Sequence, residues 1–154
     1  MSEGISSGIV VRPIEPGTPE YDEAAEVRYD ALYREWGLPR SLVADADPAM
    51  FRHLAAFDHG RIVGYARVLL GVDVTQIFQV AVAPDRRNEG IGVALVDELL
   101  RIAVDAGRTE VVLDAREHVI GFYERLGFVA EGPEFLSERT KTPHRRMRRS
   151  VGGV

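Results

Sequence analysis

The sequence contains no cysteine among its 154 residues. Disulfide bonds, thiolate metal sites, iron–sulfur clusters and a cysteine nucleophile are therefore excluded. A reducing, cytoplasmic location is expected, because chains without disulfides are typical of that compartment. Positive charge is also scarce, with 19 Lys and Arg against 24 Asp and Glu, which leaves a net charge of −5. This balance argues against a dedicated nucleic-acid-binding protein, since such proteins are usually basic.

Long hydrophobic runs are absent as well. The most apolar stretch, residues 61–74, is interrupted by Gly64, Arg67 and Asp73. It is much shorter than the roughly 20 apolar residues that a membrane helix needs. We therefore expect no membrane span and, from the amino-terminal composition, no secretory signal. We expect a single domain over residues 1–154, with frayed ends at 1–8 and 151–154.

Apolar periodicity predicts a mixed α/β fold in which strands dominate the first half of the chain. Pro13 places the first strand at a sheet edge, and the alternating arginines at 145–149 predict a second edge strand with solvated charges. Strands are predicted at 9–14, 53–57, 62–70, 74–83, 109–114 and from 128, and helices at 21–36, 90–106 and 118–126.

A glycine-containing loop connects the strand at 74–83 to the helix at 90–106. Gly90 and Gly92 lack Cβ atoms where the backbone enters the helix, so unpaired amides can approach a ligand closely. Arg86 and Arg87 add positive charge beside these amides, which favours a pyrophosphate. The loop lacks the Lys-Ser/Thr of a P-loop and the third glycine of a dinucleotide fingerprint. Two glycines that merely begin a helix are the competing interpretation.

This loop, Arg87-Asn88-Glu89-Gly90-Ile91-Gly92, resembles the acetyl-CoA loop of the Gcn5-related N-acetyltransferase superfamily. Residues 121–128, an aromatic helix ending in Gly-Phe, are similar to the second signature of that superfamily. The hairpin at 53–68 is similar to part of its sheet, so the resemblance covers most of the chain. More narrowly, residues 143–147 and 27–29 look like the ElaA/YjcF-type branch.

The resemblance implies a single domain with a mixed, mostly antiparallel sheet of about six or seven strands, flanked by about four helices. It implies acetyl-CoA as the co-substrate, no metal, and backbone contacts to pantetheine and the thioester carbonyl. Phe122 would pack near the cofactor, and backbone amides of the loop would hold the pyrophosphate. The implied cofactor-binding residues are Val80, Ala81, Val82, Arg87, Asn88, Glu89, Gly90, Ile91, Gly92, Val93 and Phe122.

Tyr123 is the predicted catalytic residue. The superfamily uses a tyrosine at this place to protonate the departing thiolate, and a phenol with an ordinary pKa of about 10 keeps its proton at neutral pH. An aromatic pair in a short helix can equally be part of the core. Side-chain identity at Glu89 matters little if the carboxylate points away from the cofactor.

The general base is not fixed by the sequence. Many members of the superfamily carry a glutamate at the start of the strand before the loop, where this chain has Gln76, which cannot act as a base. The candidates that remain open are a water molecule and the titratable side chains near the predicted strand ends, namely His118, Glu117, Asp73 and Asp114.

The resemblance implies direct transfer of an acetyl group to a primary amine on a small molecule or a peptide. One alternative is a non-catalytic acyl-CoA-binding or sensing module, and another is a protein amino-group acetyltransferase. Asp45 and Asp47 could attract a cationic acceptor, whereas residues 145–149 could attract an acidic one. His53 and His144 are interpreted as structural or substrate-side histidines rather than metal ligands. A homodimer, the acyl-chain preference and the acceptor stay open.

Overall fold

Seven strands form one mixed sheet in the computed structural model, which describes residues 8–152. Their order is β1-β2-β3-β4-β5-β7-β6, and every neighbouring pair is antiparallel except β4 and β5, which are parallel. The strands are β1 (Ile9–Ile14), β2 (Arg52–Asp58), β3 (Arg61–Leu70), β4 (Thr75–Val82), β5 (Glu110–Arg116), β6 (Val129–Leu136) and β7 (Pro143–Ser150). The predicted sheet is confirmed.

Three α-helices are present in the described part of the chain, rather than the expected number of about four. They are α1 (Pro19–Leu32), α2 (Ile91–Asp105) and α3 (Ile120–Arg125). Residues 37–51 contain Gly37, Pro39 and Pro48, and form two short 3-10 turns, Arg40–Val43 and Pro48–Met50. Proline removes a backbone donor and restricts the preceding residue, so this segment does not propagate a helix.

Helices cover both faces of the sheet. Successive residues of a strand point to opposite faces, so β2 contributes to two cores. Leu54 and Ala56 pack in the larger core with α2 and α3, whereas Ala55 and Phe57 pack with α1. The first of these surfaces is called the α2 face below, and the second the α1 face.

Strand β7 does not lie at an edge of the sheet, and this prediction was wrong. It lies between β5 and β6, with Met147 fully buried. Its arginines are not simply solvated, because Arg146 pairs with Asp114 at 2.7 Å and Arg148 pairs with Glu131 at 2.9 Å. Carboxylates on the two neighbouring strands compensate the charges that suggested an edge.

The predicted fraying falls mostly on residues 1–7 and 153–154, which lie outside the described residues. Val151 belongs to the segment predicted to fray, but its side chain is buried and its amide donates to the Thr109 carbonyl at 2.9 Å. No helix within residues 8–152 is long and apolar enough to cross a membrane.

Candidate active site

Strands β4 and β5 pair over only two positions and then separate. Gln76 lies opposite Val112 and Ile77 opposite Leu113, but β4 continues to Val82 without further pairing to β5. The backbone edge of β4 that faces β5 is therefore open from residue 78 to 82. This opening contains Val80, Ala81 and Val82, the residues for which the resemblance implies main-chain contacts to the cofactor.

A β-bulge bends β4 at the beginning of this opening. Tyr65 pairs with Ala81 and Arg67 with Phe78, so two residues of β4, Gln79 and Val80, lie opposite a single residue of β3. Gln79 has φ = +53°, a left-handed conformation that residues other than glycine rarely adopt. Bulges increase local bending and redirect a strand. The bend accounts for the separation of β4 from β5.

Gln79 is held by a buried polar network on the α1 face. Nε of Arg28 donates to Oε1 of Gln79 at 2.8 Å, and the Arg28 side chain is only 1% exposed. The same guanidinium donates to both carboxylate oxygens of Asp45, at 3.0 and 2.9 Å. Arg67 donates to Asp45 at 2.7 Å, and the Tyr21 hydroxyl also donates to this carboxylate. One helix, one loop and strand β3 are thereby connected to the bulge.

The environment of Asp45 overturns the expectation that this carboxylate attracts a cationic acceptor. Burial alone would raise its pKa, but hydrogen bonds from Arg28, Tyr21 and Arg67 outweigh burial and hold the pKa of Asp45 far below its ordinary value. Its side chain is 5% exposed and its charge is balanced by two guanidinium groups. Of the two aspartates, only Asp47 is exposed.

His53 is confirmed as a structural histidine. It is buried, with Nδ1 at 2.6 Å from the Tyr65 hydroxyl and Nε2 at 2.7 Å from the Pro48 carbonyl oxygen. Burial, the first cause, lowers its pKa. His53 thus connects β2 to the loop that carries Asp45, and both ring nitrogens are already engaged.

The glycine-containing loop leads into the amino terminus of α2. Gly90 is the N-cap residue and has φ = +83°, while Asn88 also has positive φ, +66°. A Cβ atom on Gly92 would lie 3.2 Å from Cζ of Phe122 and 3.6 Å from a methyl group of Val82. Three predicted cofactor-binding residues from separate elements therefore meet at the first turn of α2. Amides at such a terminus favour an anion.

The arginines of this loop are paired with carboxylates, which the sequence did not indicate. Arg86 lies 3.0 Å from Glu89 and 2.8 Å from Asp58. The carboxylate of Glu89 is thus paired with an arginine. Arg87 lies 3.0 Å from Glu35 in an exposed pair, and such a pair is weak enough for a phosphate to displace the carboxylate.

Tyr123 lies in the larger core on the α2 face. Its side chain is 8% exposed, and its ring makes edge contacts with Phe122 and Phe128 at centroid distances of 4.9 and 5.8 Å. Burial raises the pKa of Tyr123 above its ordinary value, so the phenol keeps its proton throughout the neutral range. Within residues 8–152 its hydroxyl has no hydrogen-bond partner.

Two of the candidate bases form ion pairs with arginines. Asp114 accepts two hydrogen bonds from Arg146, at 2.7 and 3.4 Å, and Glu117 lies 3.4 Å from Arg145. Asp73 lines a cavity at the opposite end of β4 from Val82, so it lies away from the open edge.

His118 lies directly after β5, with its ring 5.5 Å from that of Trp36. Burial, followed by the charges of Arg116 and Arg87, lowers the pKa of His118. The imidazole is therefore neutral at pH 7 and able to accept a proton.

Known proteins with a similar sequence or fold include several acetyltransferases. Residues 14–128 match the family described as Acetyltransferase (GNAT) family. The chain is 40% identical over 78 residues to glucosamine 6-phosphate N-acetyltransferase of Trypanosoma brucei brucei, a match that covers 46% of this chain and 53% of that protein. It is 25% identical over 126 residues to YjcF, an uncharacterized N-acetyltransferase of Bacillus subtilis, covering 81% and 89% of the two chains. The chain thus spans about half the length of the trypanosomal relative.

Solved structures share the fold. Escherichia coli ElaA superposes with a TM-score of 0.77 at 23% identity, over 92% of this chain and 99% of that chain. An Elizabethkingia anophelis GNAT family acetyltransferase with acetyl-CoA bound has a TM-score of 0.73 at 18% identity, over 95% and 100% of the chains. YjcF and ElaA, whose branch the short motifs resemble, are thus both among the matching proteins.

Proposed function

The chain belongs to the acetyltransferase (GNAT) family, and on this basis we propose that it transfers an acetyl group from acetyl-CoA to a primary amine. The supporting observation is the open edge of β4, which runs from the bulge at Gln79 to the glycine-containing loop before α2. We propose that the described residues act as one N-acetyltransferase domain.

The amides of residues 87–93 would hold the pyrophosphate. The open backbone of residues 80–82 would accept hydrogen bonds from the pantetheine amides and donate hydrogen bonds to the thioester carbonyl. These bonds would replace the missing strand pairing on that edge. Phe122 would pack against the cofactor beside Gly92, which its ring already approaches. These roles use the main chain, so the side-chain charge of Glu89 does not oppose them.

The amine nitrogen attacks the thioester carbonyl carbon, and the carbon–sulfur bond breaks as the carbon–nitrogen bond forms. The thiolate of coenzyme A leaves with the bonding electrons and takes a proton from the Tyr123 hydroxyl, which solvent later reprotonates. Tyr123 suits this role because burial keeps it protonated. The attacking amine loses its proton to water or to His118, which lies just after β5 and, unlike Asp114 and Glu117, is not paired with an arginine.

Calorimetric titration with acetyl-CoA, followed by thiol release with a panel of amines, tests the proposal. The panel includes glucosamine 6-phosphate, the substrate named in the trypanosomal relative, and peptides with free amino groups. Binding with amine-dependent thiol release supports the enzyme. Binding without release would favour the acyl-CoA sensing module, release with peptides alone would favour a protein acetyltransferase, and no binding would exclude all three.

A further inference from the structure

An unpaired arginine lies on the α1 face beside the open edge of β4. This inference rests on the proposed function. The glycine-containing loop and Tyr123 lie on the α2 face, so in the proposed reaction we expect the acceptor to approach the thioester from the opposite, α1 face. Arg116 is the last residue of β5, and its neighbours Ala115 and Leu113 point into the core on the α2 face. By strand alternation, the side chain of Arg116 points to the acceptor side.

Arg116 is half-buried and has no carboxylate partner among residues 8–152. Other arginines around the cleft do have one, at 3.0 Å for Arg87 with Glu35, 3.4 Å for Arg145 with Glu117 and 2.7 Å for Arg146 with Asp114. Burial lowers the pKa of Arg116, as expected for a guanidinium that is partly removed from water and has no carboxylate beside it. A partly desolvated guanidinium without an anion is costly unless a ligand supplies one.

The surroundings of Arg116 orient its guanidinium without using its hydrogen-bonding edges. Its Cζ atom lies 5.1 Å from the centroid of the Trp36 ring, a cation–π contact that leaves the N–H groups available. His144 lies directly opposite Arg116 in the register with β7. The neighbouring charges are paired with one another, Glu117 with Arg145 at 3.4 Å and Asp114 with Arg146 at 2.7 Å. The local charge is therefore positive, and the planar fork can bind two anionic oxygens.

We propose that Arg116 forms an anion subsite with Trp36, and that the acceptor is a small amine that also carries a carboxylate or a phosphate group. The anionic group binds the guanidinium on the α1 face, which directs the amine through the cleft toward the thioester. Arg116 is thus a specificity-determining residue, and the substrate class is an amino acid or an amino phosphate rather than a neutral amine.

Trp36 is the single tryptophan of the chain, so its fluorescence reports on this subsite without requiring turnover. In the presence of saturating coenzyme A, the protein is titrated with O-phosphoethanolamine against ethanolamine, and with β-alanine against β-alaninamide, at constant ionic strength. We expect a saturable change in fluorescence with at least one anionic probe and none with its neutral counterpart. The two arms distinguish a phosphate from a carboxylate.

Arg116→Gln removes the charge and is expected to weaken binding of the anionic probe by about 10- to 100-fold, as for a lost charged hydrogen bond. Arg116→Lys should recover only part of the affinity for the anionic probe, since an ammonium group lacks the planar fork of a guanidinium. Arg101→Gln is the matched control, because this exposed arginine of α2 pairs with Glu98 and Asp105 away from the cleft. The control should bind the probes like the wild type.

Calorimetry with the same four probes accompanies the fluorescence measurement. No saturable binding of either anionic probe by both methods, equal affinity for charged and neutral probes, or an equal effect of Arg116→Gln and Arg101→Gln would overturn the inference. Acetyl-CoA binding to Arg116→Gln should be unchanged. Loss of acetyl-CoA binding by the wild type would instead contradict the proposed function, so the two failures are separable.

Discussion

Nε of Arg28 donates to Oε1 of Gln79 at 2.8 Å, and this bond connects helix α1 to the positive-φ residue of the bulge in β4. The partners are 51 residues apart in the sequence. The side chain of Gln79 is thus anchored to a buried guanidinium, while its backbone redirects the strand.

Gln79→Ala and Gln79→Gly separate these two contributions. Both variants leave Nε of Arg28 without its partner, and we expect Gln79→Ala to lower the free energy of unfolding by about 1 to 3 kcal/mol. Gln79→Gly should lose about 1 kcal/mol less, because glycine adopts positive φ without strain. Urea denaturation measures both. Glycine usually destabilises a strand more than alanine does. A larger loss of unfolding free energy in Gln79→Gly than in Gln79→Ala would therefore contradict a strained backbone at Gln79.

Asp45→Asn leaves two buried guanidinium groups without a carboxylate. We expect a loss of about 3 to 5 kcal/mol in the free energy of unfolding, whereas the exposed neighbour Asp47→Asn should change it by less than about 0.5 kcal/mol. The pKa of Asp45 is depressed in the folded state. The contribution of the Asp45 carboxylate to the free energy of unfolding is therefore fully present above the ordinary pKa of about 3.9, and it decreases as the pH falls below that value. Wild-type stability measured from pH 6 to pH 2 should show this decrease, and Asp45→Asn should show a smaller one, since the pKa values of Asp58 and Glu131 are lowered as well.

Gly92→Val tests the first turn of α2. A Cβ atom there would lie 3.2 Å from the Phe122 ring, so a branched side chain displaces the ring and shields the amides beside it. We expect the Kd for acetyl-CoA to rise at least about tenfold, or 1.4 kcal/mol. Gly121→Ala is the control, since its Cβ would meet only Nη1 of Arg125 at 3.6 Å. Equal calorimetric affinities of both variants for acetyl-CoA would show that the cofactor does not bind at this turn.

Tyr123→Phe removes the proposed acid and keeps the ring contacts with Phe122 and Phe128. We expect kcat to fall by about 10- to 1,000-fold, with little change in acetyl-CoA affinity. The control is Tyr29→Phe, which changes a tyrosine of α1 that stacks on Arg34 and Arg40. Steady-state kinetics with a productive amine measure both variants. Unchanged turnover in Tyr123→Phe would reduce this residue to a packing role.

His118→Gln tests the proposed base through the pH profile. Because the pKa of His118 is lowered, its proton-accepting form predominates already below its ordinary value of about 6.5. The wild-type rate should therefore rise with pH and reach its plateau before about pH 6.5. In His118→Gln this pH-dependent rise should disappear, and the rate should fall by about 10- to 100-fold. His59→Gln alters an exposed histidine of the β2–β3 hairpin and should keep the wild-type profile. If the rise of the rate with pH survives in His118→Gln, water rather than His118 accepts the proton.

Local patterns explain why most elements were predictable. The strands of the hairpin, the strand before the loop and the helix after Gly90 all alternate or repeat in ways that depend on nearby residues only. Strand β7 was misplaced because its position depends on carboxylates from β5 and β6, such as Asp114 and Glu131. Pairing between distant strands leaves little trace in a single segment.

The polar network was not predictable for a related reason. Arg28, Asp45 and Arg67 come from a helix, a loop and a strand, and each has an ordinary surface interpretation on its own. One signal was present: Arg67 interrupts the apolar run of β3, and a charge within a buried strand requires a partner. Gln79 gave no signal, since residues with positive φ are usually glycine or asparagine.

The separation of β4 from β5 leaves an unpaired strand edge in the middle of the sheet rather than at its border. Unpaired edges elsewhere invite aggregation, because any extended chain can hydrogen-bond to them. Here β5 lies on the other side of the gap and is paired with β7 along its whole length, so the open edge faces a strand of the same sheet. In the proposed function the slender, amide-bearing pantetheine arm would occupy this gap, so the unpaired edge would be available to the cofactor while lying inside the sheet.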